Sequence, residues 1–216
     1  MASMLLLDSC ADKKIGESKD NSSVKREDIE WLRIWAPHTN DSELPRVLLI
    51  GDSITELFGP VVDGKLDGKA YVVRLTTSKS LGDPALMDEV AMVLSQYDFD
   101  VIHISNGLHG WKYTDEEFSA AIPQLYDLVT SEEAEAELIW ATCTPARTEE
   151  ENATVKSRNS IISSFAGEKG ILIDDLFPLL YDHEEYYAGT DGIHPNQDGV
   201  AVIADKALEA ITSKLN

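Results

Sequence analysis

The sequence predicts an α/β fold in which a five-stranded parallel sheet is covered by helices on both faces. Three observations lead there. Five short apolar runs without polar alternation lie at 46–51, 70–75, 101–105, 138–143 and 171–176, as strands buried on both faces require. Segments with the spacing of amphipathic helices separate them. Alternation of the two kinds implies parallel pairing, because each strand must be re-entered from the same end through a crossover.

Taken in order, residues 1–25 are rich in Ser, Lys and Asp and lack apolar periodicity. Such a segment cannot offset the entropy of ordering, so it is expected to be an unstructured head before a domain at 26–216. Residues 31–45 are aromatic and irregular, with Trp31, Trp35 and Pro37, and are expected to pack on the domain ahead of the first strand. The first run ends in Gly51-Asp52-Ser53-Ile54-Thr55, a strand-to-helix turn. Leu86, Val90, Val93, Leu94 and Tyr97 mark a helix after the second run, and Val155, Ile162 and Phe165 mark one after the fourth. The final stripe, Val200, Ile203, Ala204, Ala207, Leu208, Ile211 and Leu215, is the clearest. Ligands of such sheets bind beyond the carboxyl ends of the strands, so functional residues belong just after the runs.

A chain of 216 residues with 43% hydrophobic content can bury one full core. Its 39 acidic residues against 18 basic ones, a net charge of -21, argue against nucleic acid and against an anionic membrane surface as partners. No apolar stretch approaches the roughly 20 residues that span a bilayer. Cys10 and Cys143 lie far apart, one in the polar head and one in an apolar run, so no disulfide is expected. Met4-Leu5-Leu6-Leu7-Asp8-Ser9-Cys10 before a polar stretch resembles the end of a bacterial lipoprotein signal. On that reading Cys10 carries a lipid anchor and the protein is periplasmic or on the cell surface. On the other, Cys10 is incidental and the protein is cytoplasmic. Oligomeric state is left open.

Two constellations carry chemistry. A Ser at the turn after a strand exposes its hydroxyl beside the N-H groups of a helix start, although Asp-Ser at such a turn, taken alone, is more often just a helix cap. Asp191-Gly192-Ile193-His194-Pro195 precedes the last helix, and its three-residue offset brings a carboxylate to the near nitrogen of the imidazole. The alternative is a turn with an exposed His. Together, on this strand-helix pattern, they read as nucleophile, base and orienter.

This order of motifs resembles the SGNH/GDSL hydrolase family over about 46–216. The resemblance implies a three-layer α/β/α sandwich of flavodoxin-like form, with Ser53, Asp191 and His194 as catalytic residues. Ser80-Leu81-Gly82-Asp83 is similar to the family's Gly element, which makes Gly82 an oxyanion donor alongside the Ser53 N-H. Ile104-Ser105-Asn106-Gly107 is similar to its Gly-x-Asn-Asp element, with Asn106 as the side-chain donor. Here Ile104 stands for the usual Gly and Gly107 for the Asp, which puts the surroundings of Asn106 in question. His109 and Trp111 follow, as substrate-binding residues or as a loop held by packing of Trp111.

His103 is expected to be an interior histidine, and Asp174 and Asp175 to point to opposite faces and hold no metal. His183 shows no ligand spacing, Asn152 begins a sequon, and Tyr186 and Tyr187 pack under a loop or line a pocket. No phosphate-binding Gly loop is present in the sequence, and neither cofactor nor metal is expected. The expected activity is hydrolysis of short-chain acyl esters, foremost acetyl, on a small-molecule or glycan substrate. The alternatives are a lysophospholipase or thioesterase of the same family, and a non-catalytic glycan-binding module.

Overall fold

The computed structural model describes residues 24–215. Cys10, with its lipid-anchor reading, and most of the head at 1–25 lie outside the described residues. The elements run β1 (Leu32–Trp35), β2 (Arg46–Gly51), α1 (Ser53–Lys65), β3 (Tyr71–Thr77), α2 (Pro84–Leu94), β4 (Val101–Ser105) and α3 (Asp115–Glu132). Then follow β5 (Glu137–Ala141), α4 (Glu149–Lys169), β6 (Leu172–Asp174), α5 (Phe177–Leu180), a 3-10 turn (Glu184–Tyr187) and α6 (Gln197–Thr212).

The sheet has six strands in the order β1-β3-β2-β4-β5-β6. Five are parallel, as expected, and β1 is added antiparallel to the free edge of β3. This strand escapes the buried-run criterion because it is an edge: all four of its residues are exposed, and Trp35 keeps 56% of its surface. The central strands β2 and β4 are buried throughout, which is why their bounds match the apolar runs residue for residue. At the other edge the pattern is looser, and β6 holds only three residues of the run at 171–176.

Helices α1 and α6 pack together on one face, while α2 touches α3 and α3 touches α4 on the other, giving three layers around one core. Helix α3 has no counterpart in the sequence expectations. Its buried residues Phe118, Ala121, Ile122, Leu125 and Val129 do form a stripe, but Pro123 sits inside it, and an interior proline reads as a helix break. A capping box between Thr114 and Glu117 secures its start.

The strand order positions the site. From β2 the chain goes outward to β3 and then back across to β4, so the connections after β2 and β4 leave in opposite directions. The gap between their carboxyl ends is the switch point where doubly wound sheets bind ligands. Gly51 is in register with Ser105, so Asp52-Ser53 and Asn106-Gly107 leave the sheet side by side. No helix among the described residues is long and apolar enough to cross a membrane.

Candidate active site

Ser53 is the first residue of α1. Asp52 caps that helix, its buried carboxylate accepting the Ile54 N-H at 3.0 Å. Burial pushes the Asp52 carboxyl up from its ordinary range. The cap alternative for this turn is therefore filled by Asp52, and the Ser53 hydroxyl is left for other work.

It meets His194. The Ser53 Oγ lies 2.8 Å from His194 Nε2, and His194 Nδ1 lies 2.8 Å from Asp191 Oδ2. The other Asp191 oxygen accepts the N-H groups of Ile193 at 3.0 Å and His194 at 2.9 Å. These hold the Asp191 carboxyl well below the usual carboxylate range, the His194 N-H contributing most. The turn is anchored at its far end by Asn196, which caps α6 through the Asp198 and Gly199 N-H groups and donates to the Glu185 carbonyl at 2.7 Å. An anionic Asp191 takes a proton donor at Nδ1, so Nε2 is free to accept the hydroxyl proton.

Asn106 is buried and faces the loop after β3. Its Oδ1 accepts the Leu81 N-H at 3.0 Å and its Nδ2 donates to the Lys79 carbonyl at 2.8 Å, leaving one amide hydrogen unused. Gly82, at φ +101, follows directly. A Cβ there would sit 3.1 Å from the Tyr113 ring, and the residue borders a second hollow of about 300 Å³ that does not include Ser53.

The loop after β4 is where the sequence pattern is unusual, and the structure supplies a reason. At Gly107, φ is +154 and a Cβ would lie 2.4 Å from Cys143 Sγ, so no side chain fits. The loop is held instead by Arg158 of α4, which is fully buried. Its guanidinium donates to the carbonyls of Gly107 at 2.7 Å, His109 at 2.9 Å and Gly110 at 2.8 Å. It also lies over the rings of Trp111 and Phe118, 5.5 and 5.0 Å from their centroids. Cys143 offers no rival nucleophile, because burial pushes its thiol up to about 12.

Ser53 and His194 open into a cleft of about 380 Å³ whose wall includes His109 and Trp111. Its other side is the strip from Lys25 to Asp28. Polar contacts hold this strip: the Lys25 N-H donates to the Tyr113 hydroxyl at 2.9 Å, and Arg26 pairs with Asp83 at 3.1 Å. Lys25 belongs to the segment expected to be unstructured, yet it also pairs with Glu117.

Other candidates have structural partners. His103 and Asp174 are both fully buried and meet at 2.8 Å, while Asp175 accepts from Thr142. Asn152 is buried and bonds both backbone groups of Ala146. His183 pairs with exposed Glu185, and the Tyr187 hydroxyl reaches the Pro145 carbonyl. Among the described residues no group of metal-ligating side chains converges. Sequence reasoning missed Glu27 and Arg158. Only the second had a signal: an Arg at position 158 falls on the apolar stripe between Val155 and Ile162.

No family model matches the sequence, and no curated protein aligns with it. Solved structures do match. A member of the lipolytic G-D-S-L family from Veillonella parvula superposes with a TM-score of 0.64 at 17% identity, covering 77% of this chain and 98% of that one. An α/β hydrolase from the metagenome of Lake Arreo gives 0.65 at 19%, covering 80% and 96%. An acetylxylan esterase from Geobacillus stearothermophilus gives 0.66 at 18%, covering 77% and 94%. The polypeptide thus has the three-layer fold of SGNH/GDSL hydrolases.

Proposed function

We propose that the protein is a serine esterase of the SGNH/GDSL family that removes short acyl groups, foremost acetyl, from carbohydrate. The observation that carries this reading is the unbroken chain Ser53–His194–Asp191, with both links at 2.8 Å, at the switch point of the sheet. His194 takes the Ser53 proton as Oγ attacks the ester carbonyl, and Asp191 stabilises the imidazolium. The anionic oxygen is held by the Ser53 N-H at the start of α1 and by the unused amide hydrogen of Asn106. The role of the Gly82 N-H rests on family resemblance alone. Protonated His194 then gives its proton to the leaving alcohol, and water attacks the acyl-enzyme by the same route.

Charged Lys25, Arg26, Glu27, Asp28 and Lys112 share the cleft wall with apolar Leu108, Trp111 and Ile193, a mixed lining that suits a small acyl group on a polar alcohol. The likeness to an acetylxylan esterase supports acetyl in particular. A serine-directed fluorophosphonate tests the reaction class: wild type should be labelled and Ser53→Ala should not. Absence of labelling in wild type would leave a glycan-binding module as the better account. Acetate release from a panel of acetylated polysaccharides, set against lysophospholipid and thioester controls, tests the substrate.

A further inference from the structure

The cleft contains a second carboxylate–imidazole pair that the chemistry above does not use. His109 Nδ1 lies 2.9 Å from Glu27 Oε1, and the same oxygen receives the Gly110 N-H at 3.4 Å. The ring meets Trp31 edge to face, with centroids 6.2 Å apart, and the His109 carbonyl is one of the three held by Arg158. The imidazole is therefore fixed through the N-terminal strip, its own loop and α4. Glu27, His109, Ser53 and His194 border one cleft, and the His109 side chain keeps 16% of its surface exposed.

A carboxylate at Nδ1 demands the N-H there, just as Asp191 does for His194. Nε2 of the neutral ring then carries a lone pair, and the ring's hydrogen bond among the described residues is the one at Nδ1. Such a nitrogen accepts from a hydroxyl and gains nothing from a hydrocarbon or aryl group. Trp111, in the same wall, adds an apolar face of the kind that lies against a sugar ring.

We propose that His109, oriented by Glu27, is the specificity-determining acceptor for a free hydroxyl on the alcohol part of the substrate. The enzyme then selects polyhydroxylated alcohols over simple ones. This rests on the esterase reading. His109 contacts substrate, and Glu27 acts through it as a positioning residue.

The test is the ratio of kcat/KM on an acetylated xylo-oligosaccharide to kcat/KM on p-nitrophenyl acetate, whose leaving group has no spare hydroxyl. His109→Ala and Glu27→Ala should each lower that ratio roughly tenfold, the worth of one neutral hydrogen bond. Glu27→Gln, which keeps an acceptor for Nδ1-H, should restore most of it. Imidazole 15N spectra should show the Nδ1-H tautomer of His109 in wild type and a mixture in Glu27→Ala, a change that mere loosening of the loop would not produce. An unchanged ratio in His109→Ala, or the Nε2-H tautomer in wild type, overturns the proposal. So does a wild type that cleaves the aryl ester but no acetylated sugar, and that result leaves the esterase reading standing. A wild type inert to both esters and to the fluorophosphonate sinks the esterase reading and this inference with it.

Discussion

Gly107 and Asn106 are neighbours with opposite demands on their side chains. At 107 there is room for none: an added Cβ would fall 2.4 Å from Cys143 Sγ, on backbone at φ +154. Gly107→Ala should cost about 1–3 kcal/mol of stability, from overpacking and strained backbone together. Urea unfolding checks this, and adding Cys143→Ala should return part of the loss; strictly additive effects would mean that the sulfur is not the obstacle. At 106 the side chain does two jobs. Asn106→Ala should slow ester hydrolysis about a hundredfold by removing an oxyanion donor. It should also destabilise the fold by about 1–3 kcal/mol, because the buried Leu81 N-H and Lys79 carbonyl lose their partner. A variant with normal turnover would remove Asn106 from the mechanism.

Helix α4 holds the loop after β4 without supplying a reacting group. Arg158 reaches across to three carbonyls of the loop after β4, so the position of that loop depends on a helix that enters the chain some fifty residues later. Arg158→Met keeps the bulk and removes the donors. It should destabilise by about 3 kcal/mol, since buried carbonyls are left unpaired. Because Ser53, His194 and Asp191 stand on other elements, fluorophosphonate labelling should persist while sugar-ester turnover falls. Loss of labelling together with turnover would mean that the loop supports the nucleophile itself. The edge strand β1 shows the converse dependence: it adds an antiparallel partner to β3 and brings the preceding strip, Lys25 to Asp28, against the cleft.

For the molecule as a whole, a net charge of -21 makes self-repulsion a standing cost of the compact state. Raising NaCl from about 20 mM to about 500 mM shortens the Debye length several-fold and should raise Tm. A fall would mean that exposed pairs such as Lys214–Glu137 and Lys206–Glu209 outweigh the repulsion. The sequence by itself determined the parallel α/β sheet, the bounds of β2 and β4, and the two turns that carry Ser53 and the Asp191–His194 pair. These are legible because each depends on residues close together in the chain: a buried run, a helical period, a three-residue offset. Helix α3 was obscured by Pro123, and β1 by its exposure. Only the tertiary structure decided that the Ser53 and His194 side chains meet across a separation of 141 residues, and that Arg158 holds the loop beyond Asn106. It also decided that Glu27, 82 residues before His109, stands at the edge of the cleft. Such contacts leave no local period or spacing, because packing brings their partners together and the intervening chain carries no trace of it.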